Sequence, residues 1–169
     1  MFTEHTLESA PPASRRAMES TVKRLGHLPP AVARLATSPH LLDGFLKLSA
    51  AFETTTLDPV AREVVVMTVA ARNECHVCVT MHTGKLRALG ADEELIAALG
   101  EQRALCDERL EAVRQFTLDV FRTSGAVGDP ELRAFLAHGF TSQNALEVVM
   151  GIGTYTMSTL ANRLTRAGL

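Results

Sequence analysis

One segment constrains this chain more than any other. It is Pro59 to Arg72, PVAREVVVMTVAAR, where apolar side chains follow one another with almost no polar face. Asp58 suits the N-cap, where a carboxylate accepts from the free amides of the first turn. Pro59 suits the first helical position, where its missing N–H costs nothing. The β-branched run Val64, Val65, Val66 would also fit a strand, but the cap, Glu63 and the flanking alanines favour a helix. A helix that is apolar all round has to be enclosed by others. The expected fold is therefore all-α, organised around this segment.

The rest of the chain agrees. Aromatic residues are only 5%, and no stretch alternates apolar and polar residues between turn signals. Helices are expected from Pro12 to Leu25, ended by Gly26 and Pro29-Pro30, and from Ala31 to Ala36. Leu41, Phe45, Leu48 and Phe52 recur at helical spacing and mark a further helix. After Asn73-Glu74 a helix is expected from about Cys75 to Leu89, with Gly90 as its left-handed terminator. Further helices are expected over Asp92–Leu99 and Asp107–Thr123, and from Asp129-Pro130. The last, from near Ser142, carries Leu146, Val149, Met150, Met157, Leu160 and Leu164 on one face. Glu63-Val64-Val65 is echoed by Glu147-Val148-Val149, which allows a degenerate helical repeat. Residues 1–169 read as one all-helical domain.

With 46% apolar and 21% charged residues, the chain can bury a core without a disulfide or metal staple. Its formal charge of −2 and the absence of a Lys/Arg run argue against a nucleic-acid partner. The apolar run from Val64 to Ala71 is interrupted by Thr68 and is too short for a bilayer. No signal or lipidation motif is recognised, so the expected location is the cytoplasm, with no membrane partner. In that reducing compartment, closely spaced cysteines point to redox chemistry or metal binding more than to a structural bridge.

That pair is Cys75 and Cys78, in Cys75-His76-Val77-Cys78-Val79-Thr80-Met81-His82. On a helix, Cys75, Cys78 and His82 fall within an arc of roughly 60°. The two cysteine Cα atoms then lie about 5 Å apart, within reach of a disulfide. Attack on a peroxide or disulfide needs a thiolate. The helix N-terminus near Cys75 and the imidazole four residues beyond Cys78 are two devices that favour one. A nucleophile, a base and a resolving thiol make a minimal redox site.

Glu63 sits mid-way along the apolar helix, where an isolated charge is too costly. If that helix runs antiparallel to the cysteine helix, Glu63 reaches His82; the alternative is a partly exposed Glu63 paired with Arg62 or Arg72. Two further readings compete for the cysteines. They are small apolar fillers, or they are zinc ligands, for which a fourth ligand would have to come from Glu63, His76, Cys106 or His138. No second Cys-x-x-Cys or His-x₃-His pair supports zinc. Cys106 reads as a packing residue. His5, His27, His40 and His138 stand alone, and His76 points away from the stripe.

The spacing of Glu63, Cys75, Cys78 and His82 resembles the core motif of the alkylhydroperoxidase-D family, within the carboxymuconolactone decarboxylase-like superfamily. The chain looks most similar to the superfamily's uncharacterised peroxidase-related members. The resemblance implies an all-α helical orthogonal bundle and a homo-oligomer, a trimer or hexamer. It implies a thiol–disulfide oxidoreductase or peroxidase with no metal and no bound organic cofactor. The Cys75–Cys78 disulfide would be the redox centre, with electrons drawn from a dihydrolipoyl carrier. Hydroperoxides or a partner disulfide would be substrates, and a lipoyl protein or a peroxiredoxin the partner. By position, Cys78 would be the attacking thiolate, Cys75 the resolving one, His82 the base and Glu63 part of its proton relay. One departure stands out: well-characterised members carry a second histidine where this chain has Val77. Carboxymuconolactone-type decarboxylation and a zinc-binding or redox-sensing module are the competing functions.

Overall fold

A computed structural model describes residues 2–167. Among these the chain forms nine helices and no strand: α1 (Pro12–Leu25), α2 (Pro30–Leu35), α3 (Pro39–Glu53), α4 (Pro59–Arg72), α5 (His76–Ala88), α6 (Glu93–Gly100), α7 (Glu108–Thr123), α8 (Asp129–Ala137) and α9 (Ser142–Leu164). The fold is all-α, and the apolar segment is a helix rather than a strand.

Local chemistry sets the helix starts. The side chain of Asp58 accepts from the Ala61 amide at 2.9 Å, and Asp92 and Asp107 cap α6 and α7 in the same way. Thr141 and Asn144 form a reciprocal capping box on α9. Ser38 caps α3 with Pro39 as the first helical residue, so α3 begins just before its apolar repeat.

Helix α4 is the hub. It packs against α3, α5, α6, α7 and α9, and every residue from Glu63 to Ala71 is buried. The end of α4 sets the course of α5. The Cys75 amide donates to Ala70 O at 2.9 Å and the Glu74 amide to Ala71 O at 3.0 Å, with Glu74 left-handed at φ 52°. This Schellman-type reversal sends α5 back along α4 and leaves Cys75 as the N-cap of α5. Helices α1, α2 and α3 close one side around a small second core of Met18, Val32, Leu35, Leu42 and Ala161.

Helix α9 presents two unlike faces. Inward go Val148, Ile152 and Tyr155, then a polar run of Ser158, Thr159, Asn162 and Thr165. The apolar face read from the sequence exists but points outward: Leu146 is 73% and Leu164 69% exposed, and Val149 and Leu160 are also exposed. No helix among the described residues is long and apolar enough to cross a membrane. Cys106 is not a packing residue, for it lies exposed in the loop before α7.

Candidate active site

The reversal between α4 and α5 places both sulfurs at the start of α5. Cys75 and Cys78 form a disulfide with Cα atoms 5.3 Å apart, as the spacing predicts. Both are buried, at 2% and 4% exposure, and pack with Ala70. They nevertheless face different spaces. Cys78 lines a cavity of about 440 Å³ bounded by α1, α2, α3, α5 and α9. Cys75 lines a separate groove with His76, Val77, Arg163 and Arg166. His76 is therefore near Cys75, though exposed and outside the cavity that holds Cys78.

His82 lies one turn beyond Cys78, on the same cavity wall. Its Nδ1 donates to Glu63 Oε2 at 2.6 Å, which leaves Nε2 as the basic nitrogen of the neutral ring. The edge of the ring meets Tyr155, with centroids 5.4 Å apart at 87°. Glu63 is 1% exposed, and its other oxygen, Oε1, receives Lys85 Nζ at 2.8 Å. Lys85 also pairs with Glu53 of α3. Arg62 and Arg72 are not its partners: Arg62 turns to Leu57 O and Glu53, and Arg72 stacks over Phe121.

The electrostatics come from this packing. Burial alone would push the Glu63 carboxyl up. The hydrogen bonds from His82 and Lys85 and the positive charge of Lys85 outweigh it and hold Glu63 below its ordinary value. Burial alone would pull Lys85 down, but hydrogen bonds and charge from Glu53 and Glu63 raise it. Tyr155, desolvated by burial, is raised, while a hydrogen bond with Ser49 opposes the shift. The result is a fixed chain of charge, Glu53–Lys85–Glu63–His82, ending on a ring beside the Cys78 cavity. Among the described residues no three His, Cys, Asp or Glu side chains are grouped as metal ligands.

Residues 39–119 match the Carboxymuconolactone decarboxylase family, a stretch that contains Glu63, Cys75, Cys78 and His82. A protein from Ralstonia eutropha JMP134, described as an alkylhydroperoxidase AhpD core and uncharacterized peroxidase-related protein, superposes with a TM-score of 0.85. The two are 22% identical over 96% of this chain and 88% of that one. Within residues 39–119 the chain is thus similar to the carboxymuconolactone decarboxylase family, and over almost its whole length it shares the fold of the alkylhydroperoxidase AhpD core protein. An uncharacterized peroxidase-related protein from Silicibacter sp. TM1040 shares the fold at TM-score 0.79, with 20% identity over 93% and 84% of the two chains. So does a debrominase solved with 2,3,4-tribromopyrrole, at 0.75 and 13% identity over 99% and 90%. No curated protein matches the chain by sequence.

The four motif residues lie within the stretch that matches the family; the rest of the site lies outside the motif. Lys85 continues the stripe of Cys78 and His82 at spacings of four and three, but a lysine there is informative only once Glu63 is placed beside it. Tyr155 and Asn162 come from the far end of the chain and carry a subtler signal. They belong to the polar face of α9, the side that is buried.

Proposed function

We propose that this protein is a thiol–disulfide oxidoreductase that reduces hydroperoxides, or the disulfide of a partner, through Cys78, Cys75, His82 and Glu63. One observation carries the reading: a cysteine pair bonded at a helix start, with Cys78 and a carboxylate-held histidine in one cavity. Electrons come from an external dithiol of the dihydrolipoyl type, such as that of a lipoyl protein, and no metal or bound organic cofactor takes part. A peroxiredoxin disulfide is the macromolecular alternative to the peroxide.

In the reduced state, His82 Nε2 takes the Cys78 proton, and Glu63 stabilises the resulting imidazolium through Nδ1. The Cys78 thiolate attacks the terminal oxygen of ROOH. The O–O bond breaks, the alkoxide takes the proton from His82 and leaves as ROH, and Cys78 becomes a sulfenic acid. The Cys75 thiolate then displaces hydroxide, which leaves as water, and the disulfide reforms. A dithiol returns two electrons and two protons by thiol–disulfide exchange. The mainly apolar cavity favours organic hydroperoxides over hydrogen peroxide.

Thiol titration tests this. Dihydrolipoamide should expose two additional reactive thiols per chain, the pair now in the disulfide. One equivalent of an organic hydroperoxide should consume both, and the Cys78→Ser variant should consume none catalytically. Thiol counts that ignore both reagents would refute the proposal. Decarboxylation of a carboxymuconolactone has no use for two thiols, so turnover surviving a Cys75→Ser/Cys78→Ser variant would replace this reading with that one. We also assign the outward face of α9 as the contact for self-association into a homo-oligomer.

A further inference from the structure

We infer that Asn162 is the residue that holds the Cys78 sulfur as a thiolate, through a hydrogen bond from its side-chain amide. The inference rests on the reading of Cys78 as the attacking sulfur and adds a residue from the opposite end of the chain. Three observations carry it. Asn162 Nδ2 lies 3.3 Å from Cys78 Sγ and donates to it. Asn162 is 4% exposed, so the bond lies in low-dielectric surroundings where a donor to a charged sulfur is worth more than in water. Its Oδ1 is buried with no hydrogen-bond partner among the described residues. A buried amide that leaves its acceptor unmatched is not placed for stability alone, since such an atom carries a desolvation cost. A residue of α9 with that cost belongs to the chemistry of the sulfur it touches.

A disulfide sulfur is a weak acceptor and a thiolate a strong one, so the bond gains strength when the disulfide opens. It then acts twice in the cycle. When a reductant thiolate attacks Cys75 Sγ, a mixed disulfide forms there and the S–S electron pair departs on Cys78. The amide stabilises that leaving thiolate. When Cys78 attacks the peroxide, the same amide has kept it ionised and aimed. Asn162 borders both the cavity of Cys78 and the groove of Cys75, so it sits where the two half-reactions meet. His82 removes the proton; Asn162 stabilises the charge left behind.

The test isolates Cys78 as sole thiol in a Cys75→Ser/Cys106→Ser background and follows its alkylation by iodoacetamide against pH. No peroxide is used, so the result stands apart from the fate of the peroxidase reading. Asn162→Ala should move the midpoint of the profile upward by about one pH unit, a roughly tenfold slower reaction below it. The near-isosteric Asn162→Asp, which replaces a donor by a negative charge, should move it further. Far-ultraviolet dichroism checks that both variants remain helical. In the chain with Asn162 intact, the side-chain amide resonances of Asn162 should shift with the same midpoint as alkylation, a readout that needs no substitution at Asn162. Superimposable profiles in helical variants, or resonances indifferent to ionisation of Cys78, would overturn the inference.

Discussion

Glu63 is the residue where burial and charge conflict most. A carboxylate sealed in the hub helix survives because each oxygen has a cationic or ring N–H partner, His82 at 2.6 Å and Lys85 at 2.8 Å. Its folded-state value lies below the ordinary 4.5, so its contribution to stability is full above about that pH. The contribution is lost as pH falls through the lower folded value, where the folded state must take up the proton. The Glu63→Gln variant should therefore be less stable than wild type near neutrality, by about 1–3 kcal/mol. The gap should narrow as pH drops below 4.5, which urea titrations at several pH values will measure. A pH-independent gap would mean that the pair contributes only packing. Peroxide turnover in the same variant should fall by roughly 10²-fold or more, because His82 loses the charge that balances its protonated form. At this scale the sequence is informative where residues share a helix. Cys78 and His82 are bound to align once α5 forms, while Cys75, the N-cap of α5, opens on the neighbouring groove. Lys85 completes that stripe but reads as an ordinary surface lysine until Glu63 is known to lie beneath it. Asn162 needs a tertiary contact spanning almost half the chain, and no local spacing encodes that.

Helix boundaries are legible because the chain marks them chemically. Asp58-Pro59 opens α4 and Gly90, at φ 79°, closes α5, both where the residue types require. Less legible is the direction each helix faces. A period of 3.6 identifies stripes, but α9 has two, and hydrophobicity alone does not say which one meets the core. Gly151 records the answer. A Cβ at this position would stand 2.7 Å from Phe52 Cζ and 2.9 Å from Val65 Cγ1, both buried core atoms. Helix α9 can approach α3 and α4 this closely only because Gly151 has no side chain, and that approach carries Tyr155 to His82 one turn later. Gly151→Ala should thus destabilise the fold by about 1–3 kcal/mol through overpacking, despite alanine's better helix propensity. Thermal melting checks the sign. Gly84 of α5, where an added Cβ meets nothing within 4 Å, is the control, and Gly84→Ala should be neutral or stabilising. Equal melting shifts for the two variants would show that the approach at Gly151 is not what sets the position of α9.

For the whole molecule, the open conflict is the exposed side of α9. Leu146, Met150, Gly153, Met157, Leu160 and Leu164 succeed one another at alternating spacings of four and three, the seam pattern by which one helix packs on another, although Met150 and Met157 are half-buried and Met150 also packs on the core. No charged residue interrupts that seam, and among the described residues no helix of the same chain covers its ends, where Leu146 and Leu164 are the most exposed. A second copy would supply a matching seam, and Gly153 near its middle would let the two backbones come close. The energetics are nearly balanced. Full burial of one leucine is worth about 1.5–3 kcal/mol, so several half-exposed side chains from each copy yield an amount similar to the association cost of about 4–15 kcal/mol. An interface with so little surplus is sensitive to charge. Leu160→Glu combined with Leu164→Glu should therefore convert the assembly to monomers while leaving the helical content and the Cys75–Cys78 disulfide intact, since both side chains lie exposed. Sedimentation velocity over a range of micromolar concentrations measures this directly. A wild-type protein that sediments as a monomer throughout, or a double variant that keeps the wild-type mass, would remove α9 as the contact and leave its apolar face in need of another partner.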